Sequence, residues 1–128
     1  MCDDSAVMLR DYLLTVVAVT DEVGDHVYTD GNAPDGPQAF GVLCDEIDAN
    51  RESREHMRVA LVQVTVFSTD KQWNRQVAGV VLSHLKRFAG YMGTTWVTVS
   101  HENETETTEQ IGAVYRWAYA VDLTLRYK

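Results

Sequence analysis

Arg58-Val59-Ala60-Leu61-Val62-Gln63-Val64-Thr65-Val66-Phe67-Ser68 is the stretch whose reading decides the fold. Successive side chains of an extended chain point to opposite faces, so Val59, Leu61, Gln63, Thr65 and Phe67 share one side. Ala60, Val62, Val64 and Val66 share the other. Both sets are largely apolar, which places this strand in the middle of a sheet and covered on at least one side.

Working outward, the next segment carries a helical period. Trp73, Val77, Val80/Val81, His84/Leu85 and Phe88 form one stripe, Asp70 is placed to cap it, and Gly90 offers a stop. Lys71, Arg75, Lys86 and Arg87 lie off the stripe. One amphipathic helix cannot hide its own apolar face, so this one must cover a sheet. Thr94–Ser100 reads as another strand. The last strand alternates cleanly, with Tyr115, Trp117, Tyr119, Val121, Leu123, Leu125 and Tyr127 on one side and Arg116, Ala118, Ala120, Asp122, Thr124 and Arg126 on the other. Between them, His101–Gln110 (HENETETTEQ) has no apolar residue and reads as a polar tip or arm outside the core.

Upstream, Ser5 can cap a helix from Ala6 to about Thr20, whose end is weakened by β-branched Val16, Val17 and Val19. Val23-Gly24-Asp25-His26-Val27-Tyr28 reads as a turn leading into an extended piece. The Gly/Pro-rich stretch from Asp30 to Pro37 is a loop. A strand follows at Ala39–Ile47, then a charged connector at Asp48–His56. The expected architecture is one α+β domain over 1–128: a mostly antiparallel sheet of about four strands packed by two amphipathic helices.

Length and charge bound the function. The chain has 128 residues with 11 Lys+Arg against 19 Asp+Glu, a formal net charge of −8. That balance is wrong for gripping nucleic acid, where affinity rests on neutralising phosphates. It is also uneven: 20–55 carries ten acids against Arg51 and Arg54, while 56–100 carries five bases against Asp70. Unlike regions on one chain suit docking of one copy on another, or on a differently charged partner. No stretch approaches the roughly 20 apolar residues of a membrane span. The acidic Met1-Cys2-Asp3-Asp4 is unlike a targeting peptide, and two cysteines make no disulfide framework.

No pattern for chemistry emerges. His26, His56, His84, His101, Cys2 and Cys44 lie on different elements without metal-ligand spacing. No nucleophile elbow or phosphate-cradling glycine loop is present, and Asp30–Asp35 lacks the terminal glutamate of a calcium loop. The expectation is no catalytic residue, no metal and no cofactor. Two features remain: the aromatic side of the last strand, and the length of His101–Gln110.

The order of these motifs resembles the tail-terminator (tail-completion) proteins of long-tailed bacteriophages and phage-like particles. The residues that carry the resemblance are Leu9–Leu14, Val23-Gly24-Asp25-His26-Val27-Tyr28, Ala60–Ser68, the basic helix Gln72–Phe88 and the closing Asp122–Tyr127. It covers nearly the whole chain. It implies a non-enzymatic virion protein, made in the host cytoplasm, that assembles as a homohexameric ring. Such a ring caps the head-proximal end of the tail tube, halts tube polymerisation and presents the face on which the head docks. The implied partners are further copies of the chain, the tail tube protein and a head–tail connector or neck protein. DNA would pass through the channel without specific binding, and no membrane is involved.

Expected interface residues are Gly24, Asp25 and Tyr28 in the first turn and Lys71, Arg75, Lys86 and Arg87 on the basic helix. The expected arm reaching a neighbouring subunit or the tube is His101, Glu102, Glu104, Glu106 and Glu109. Gln38-Ala39-Phe40 stands where the family usually places a proline, and the arm is unusually acidic. Another neck or head–tail joining ring is therefore the alternative, and a small monomeric adaptor or a small enzyme a more distant one.

Overall fold

The computed structural model of the chain describes residues 4–29, 34, 36, 38–52 and 57–127. Three helices and six strands follow one another: α1 (Asp4–Leu13), α2 (Val17–Val23), β1 (Val27–Thr29), β2 (Gly41–Glu52), β3 (Met57–Ser68), α3 (Lys71–Leu85), β4 (Ala89–Met92), β5 (Thr95–Ile111) and β6 (Val114–Tyr127). The strands form one sheet in the order β1-β2-β3-β6-β5-β4, with β1 parallel to β2 and every other neighbour antiparallel.

This corrects the expected architecture. The chain is mostly sheet, a curled mixed half-barrel of six strands with three helices, rather than an antiparallel sheet of about four strands under two helices. Three local causes account for the difference. First, the amino-terminal helix breaks. Thr15 N–H and Val16 N–H bond back three residues to Tyr12 and Leu13, and Val16 turns extended (φ −87°, ψ 110°) before α2 starts without a side-chain cap. The β-branched run Thr15-Val16-Val17 disfavours continuation. Second, α3 stops at Leu85 rather than at Gly90, because Lys86 turns extended (φ −64°, ψ 120°) and Arg87 then takes the left-handed conformation (φ 61°) usually left to glycine. Phe88 is then free to lead into β4, and Gly90 lies inside that strand. Third, His101–Gln110 is strand, not a polar tip, and pairs with β6 along its length. The Asp30–Asp35 loop and the Asp48–His56 connector fall partly outside the described residues, although β2 runs through the connector as far as Glu52.

The expected central strand is central. β3 lies between β2 and β6, and its Ala60, Val62, Val64 and Val66 are buried beneath α3 with Val121, Leu123 and Leu125 of β6. Asp70 caps α3 as expected, its Oδ1 accepting from Gln72 N–H (3.0 Å) and Trp73 N–H (3.1 Å). Asn74, on the buried stripe, accepts from Ser68 Oγ at 2.6 Å and donates to Trp117 O at 2.9 Å. A buried amide is tolerated there because both ends are satisfied. α1 lies over β2, and its buried Ser5 hydroxyl donates to Glu46.

The sheet curls for a reason visible in its register. β2 is bulged between Glu46 and Asp48, and β5 between His101 and Asn103. Both bulges fall on the single cross-strand row Glu46–Val62–Leu123–His101. Extra residues in the two strands flanking an unbroken central pair bend and twist the sheet about that pair. Cys44 is buried in the core, and burial pushes its thiol up to about 12, so it stays protonated and inert.

Gly41 is the position where glycine is required. Its φ is 145°, and a Cβ there would stand 2.6 Å from His26 O and 2.8 Å from Tyr28 Cε2. Gly41→Ala is expected to lower stability by more than about 1 kcal/mol in urea unfolding. Gly36→Ala, with nothing within 4 Å of the new methyl, should be close to neutral. Leu123→Ala, at the seam under α3, should cost about 2–5 kcal/mol. Equal midpoints for the two glycine variants would contradict this packing.

Candidate assembly surface

The β5–β6 hairpin is the feature that departs most from an economical small domain. β3 accompanies it only as far as the Ser68–Trp117 pairing. The rungs Glu109–Arg116, Gln110–Tyr115 and Ile111–Val114 continue with no third strand among the described residues, a projection of about 10 Å. Gly112 (φ 63°) turns the tip; a positive φ at the first of two central residues matches the twist of the flanking strands. Tyr115 at this tip is 56% exposed.

The base of the projection is clasped to α3. Arg75 grips Glu106 with two parallel bonds, Nε to Oε2 at 3.0 Å and Nη2 to Oε1 at 2.8 Å. Lys71 stands 3.9 Å from the same carboxylate and 4.6 Å over the Trp117 ring. The Arg75 bonds, and the charges of Arg75 and Lys71, hold the Glu106 carboxyl below its ordinary proton affinity, and Arg75 is raised in turn. One turn of ladder away, the Tyr119 hydroxyl donates to Glu104, a bond that raises the phenol's proton affinity, and His101 Nε2 lies 3.3 Å from Glu104 Oε2. A forked guanidinium–carboxylate pair fixes orientation better than a single contact can.

The four cations expected to form one basic helix face are thus divided. Lys71 and Arg75 at the start of α3 are engaged within the chain. Lys86 and Arg87 lie at its other end, about 20 Å away along the axis, exposed and without an ion pair to any described residue. Of the arm residues, Glu104, Glu106 and His101 come together at the clasp, while Glu102, the inserted residue of the β5 bulge, points to solvent. The backbone of Glu109 lies on the projecting rungs.

The first-turn residues do come together. Gly24 (φ 62°) closes α2, its N–H reaching Thr20 O at 2.8 Å, and the Asp25 side chain is 97% exposed. Tyr28 and His26 share a 2.6 Å hydrogen bond. Burial, and then the Asp25 charge, raise the proton affinity of the Tyr28 phenol. An aromatic series links this turn to the helix start and the hairpin: His26 to Phe40 (4.4 Å between centroids), Phe40 to Trp73 (5.8 Å) and Tyr28 to Phe67 (6.4 Å), with Arg116 over Phe67 at 5.5 Å. Sequence reading missed Phe40, Trp73 and Asn74 as organisers of this corner. The available signal was an amide at a core position of the α3 stripe, two turns before Val81.

Among the described residues no group of three or more His, Cys, Asp and Glu is placed to hold a metal. The helix-free sheet face has a depression of about 150 Å³ lined by Leu43, Thr65, Phe67, Thr107, Arg116 and Ala118 with Pro34. Others lie beside Trp73 and between α1 and β4. None of the groups with displaced proton affinity lines these three depressions. Among the described residues, no helix is long and apolar enough to cross a membrane.

The fold is shared with a virus-like particle. A chain described as "Virion of native gene transfer agent (GTA) particle" matches with a TM-score of 0.69 over 96% of this chain and 95% of that chain, at 12% sequence identity. No protein-family model matches the sequence, and no curated protein matches it. At that identity the likeness is one of fold, carried across nearly the full length of both chains.

The clasp generates a pH prediction. Glu106 has a lowered folded pKa, so its contribution is present above the unfolded value of about 4.3 and fades as pH falls through the lower, folded one. The Arg75 Nε–H NMR resonance should therefore shift as pH falls, with a midpoint below that of an ordinary glutamate. Glu106→Gln should abolish that titration and speed amide exchange in 103–117 while leaving Val62 and Leu123 protected. A resonance that does not respond to acid would show that the clasp does not persist in solution.

Proposed function

We propose that this protein is a structural component of a phage-like particle, and within it a ring-forming tail terminator. In this reading, copies of the chain close into a homohexamer on the head-proximal end of the tail tube. The ring halts tube growth and offers the surface on which a neck or connector protein docks. The observation that carries the reading is the end-to-end fold likeness to a chain of a gene transfer agent virion. The motif order of the sequence supports the finer assignment.

Three properties of the molecule suit that role. A closed ring needs unlike, head-to-tail surfaces on each copy. The acids of 20–55 supply one, with Asp25 exposed at the first turn. Lys86 and Arg87, exposed at the far end of α3, supply the other, whereas Lys71 and Arg75 are taken up by Glu106. The hairpin projects beyond the sheet and is held rigidly at its base, as an arm reaching an adjacent subunit or the tube must be. A net charge of −8 favours DNA sliding through a channel over DNA binding to its wall. The surface is one for assembly, with the virion as its place and the host cytoplasm as the site of its manufacture. Another neck or head–tail joining ring would share these properties and differ in its position on the particle.

Light scattering and native mass spectrometry on concentrated protein test this directly. The expected result is a closed species several-fold heavier than the monomer, visible as rings in negative stain and dissociated by salt as the charged contacts are screened. Charge reversal by Lys86→Glu with Arg87→Glu should reduce that species at least about tenfold while the monomer stays folded, its melting midpoint lowered only slightly by two acids at the C-terminal end of α3. A chain that remains monomeric at high concentration and is missing from purified particles would overturn the proposal.

A further inference from the structure

Both sides of the sheet end in open backbone. β1 covers β2 only opposite Val42–Cys44, so among the described residues β2 beyond Cys44 has no outer partner. β4 covers β5 only from Thr95 to Thr98, and a bond from Val99 N–H to Phe88 O (2.9 Å) closes that contact. From Ser100 to Ile111, β5 is paired on its β6 side alone, a free edge on the order of 40 Å.

The groups this edge offers follow from the ladder. Alternate residues of an antiparallel strand turn both N–H and C=O outward. Val99 faces outward, and its β6 partner is Leu125; the β6 residues of the same parity are Leu123, Val121, Tyr119 and Trp117. Their β5 partners past the bulge are Glu104, Glu106 and Thr108, with Gln110 next in the alternation. Edge strands are usually kept short, or guarded by lysine, proline or an inward charge. Past its bulge this edge has no lysine, proline or further irregularity until the turn at Gly112. What it carries is acid: Glu102 and Glu104 are exposed beside it, with no lysine or arginine partner among the described residues, and His101 Nε2 lies 3.3 Å from Glu104.

Charge decides what can pair there. A second copy could offer its open β2 edge, but from 45 to 52 that edge carries Asp45, Glu46, Asp48 and Glu52 against Arg51 alone and is acidic on balance. It could offer its own β5, which bears the same glutamates. Either pairing sets acid against acid, which destabilises a ladder. We infer that the outer edge of β5, residues 104–110, receives an extended Lys- or Arg-bearing segment of another protein as an added strand. The backbone at Glu104, Glu106, Thr108 and Gln110 supplies the hydrogen bonds, and Glu102 and Glu104 select for cationic side chains. This docking edge is independent of whether the chain forms a ring.

The probe is a fluorescein-labelled, end-blocked peptide of alternating lysine and threonine, titrated into the full chain by polarisation and by amide-exchange NMR. Binding should slow exchange at Glu104, Glu106, Thr108 and Gln110 and weaken as salt rises. Methylating alternate peptide nitrogens should cost at least about tenfold in affinity. The same peptide with glutamate for lysine should not bind. Thr108→Pro should block binding with the core amides of Val62 and Leu123 undisturbed, since the Thr108 N–H lies outside the β5–β6 ladder. Glu102→Lys should lower affinity most at low salt. Lack of binding, equal binding by the N-methylated peptide, protection elsewhere, or full affinity in Thr108→Pro would each overturn the inference and leave the glutamates as guards against self-association.

Discussion

A single buried seam sets the rest of the molecule in place. Val62, Val64 and Val66 of β3 lie opposite Leu123, Val121 and Tyr119 of β6, and α3 lies across both strands. The pairing runs without a bulge, so the bends are displaced to the strands on either side, at Glu46/Asp48 and His101/Asn103. The same seam aims the hairpin. β6 continues past the end of β3, and β5 follows it, because the partners inside the core fix the direction of both. Asn74 ties the seam's upper end to α3 through Trp117, and the Arg75–Glu106 clasp adds a second tie one step further out.

What the residues disclosed, and what they concealed, divides along the same line. The central strand, the capped helix and the last strand were legible because their apolar residues keep a strict period of two or about 3.6. β5 beyond Ser100 was hidden because its period of two is written in glutamate against asparagine and threonine: Glu104 and Glu106 on one side, Asn103, Thr105 and Thr107 on the other. With no apolar member it looks like loop, yet threonine favours extended backbone and β6 pairs the strand along one side from Ser100 to Ile111. The end of α3 was misplaced because the left-handed residue is Arg87, and glycine is what sequence reading looks for. β1 was legible as a short extended piece after the first turn, but its parallel pairing with β2 was not; the strand's place depends on Gly41, whose missing Cβ lets His26 O approach and bond Val42 N–H at 2.9 Å.

The expected site was partly legible in the same way. Its residue types were found, but not which of them neutralise each other within the chain. The bases of α3 and the acids of the arm read as two opposite surfaces, each looking outward. Folding brings Lys71 and Arg75 onto Glu106, so these three charges face one another within the chain. Lys86 and Arg87, at the other end of the helix, stay exposed. A chain so arranged has a two-faced sheet, a projecting hairpin and, among the described residues, open strand edges.

The head-to-tail contact is the central claim, and zero-length carbodiimide coupling of a mixture of ordinary and nitrogen-15-labelled protein tests it most directly. The account predicts mixed-isotope cross-links joining Lys86 of one copy to acidic residues between 20 and 55 of another. Cross-links confined to single-isotope chains, at concentrations where larger species form, would contradict it.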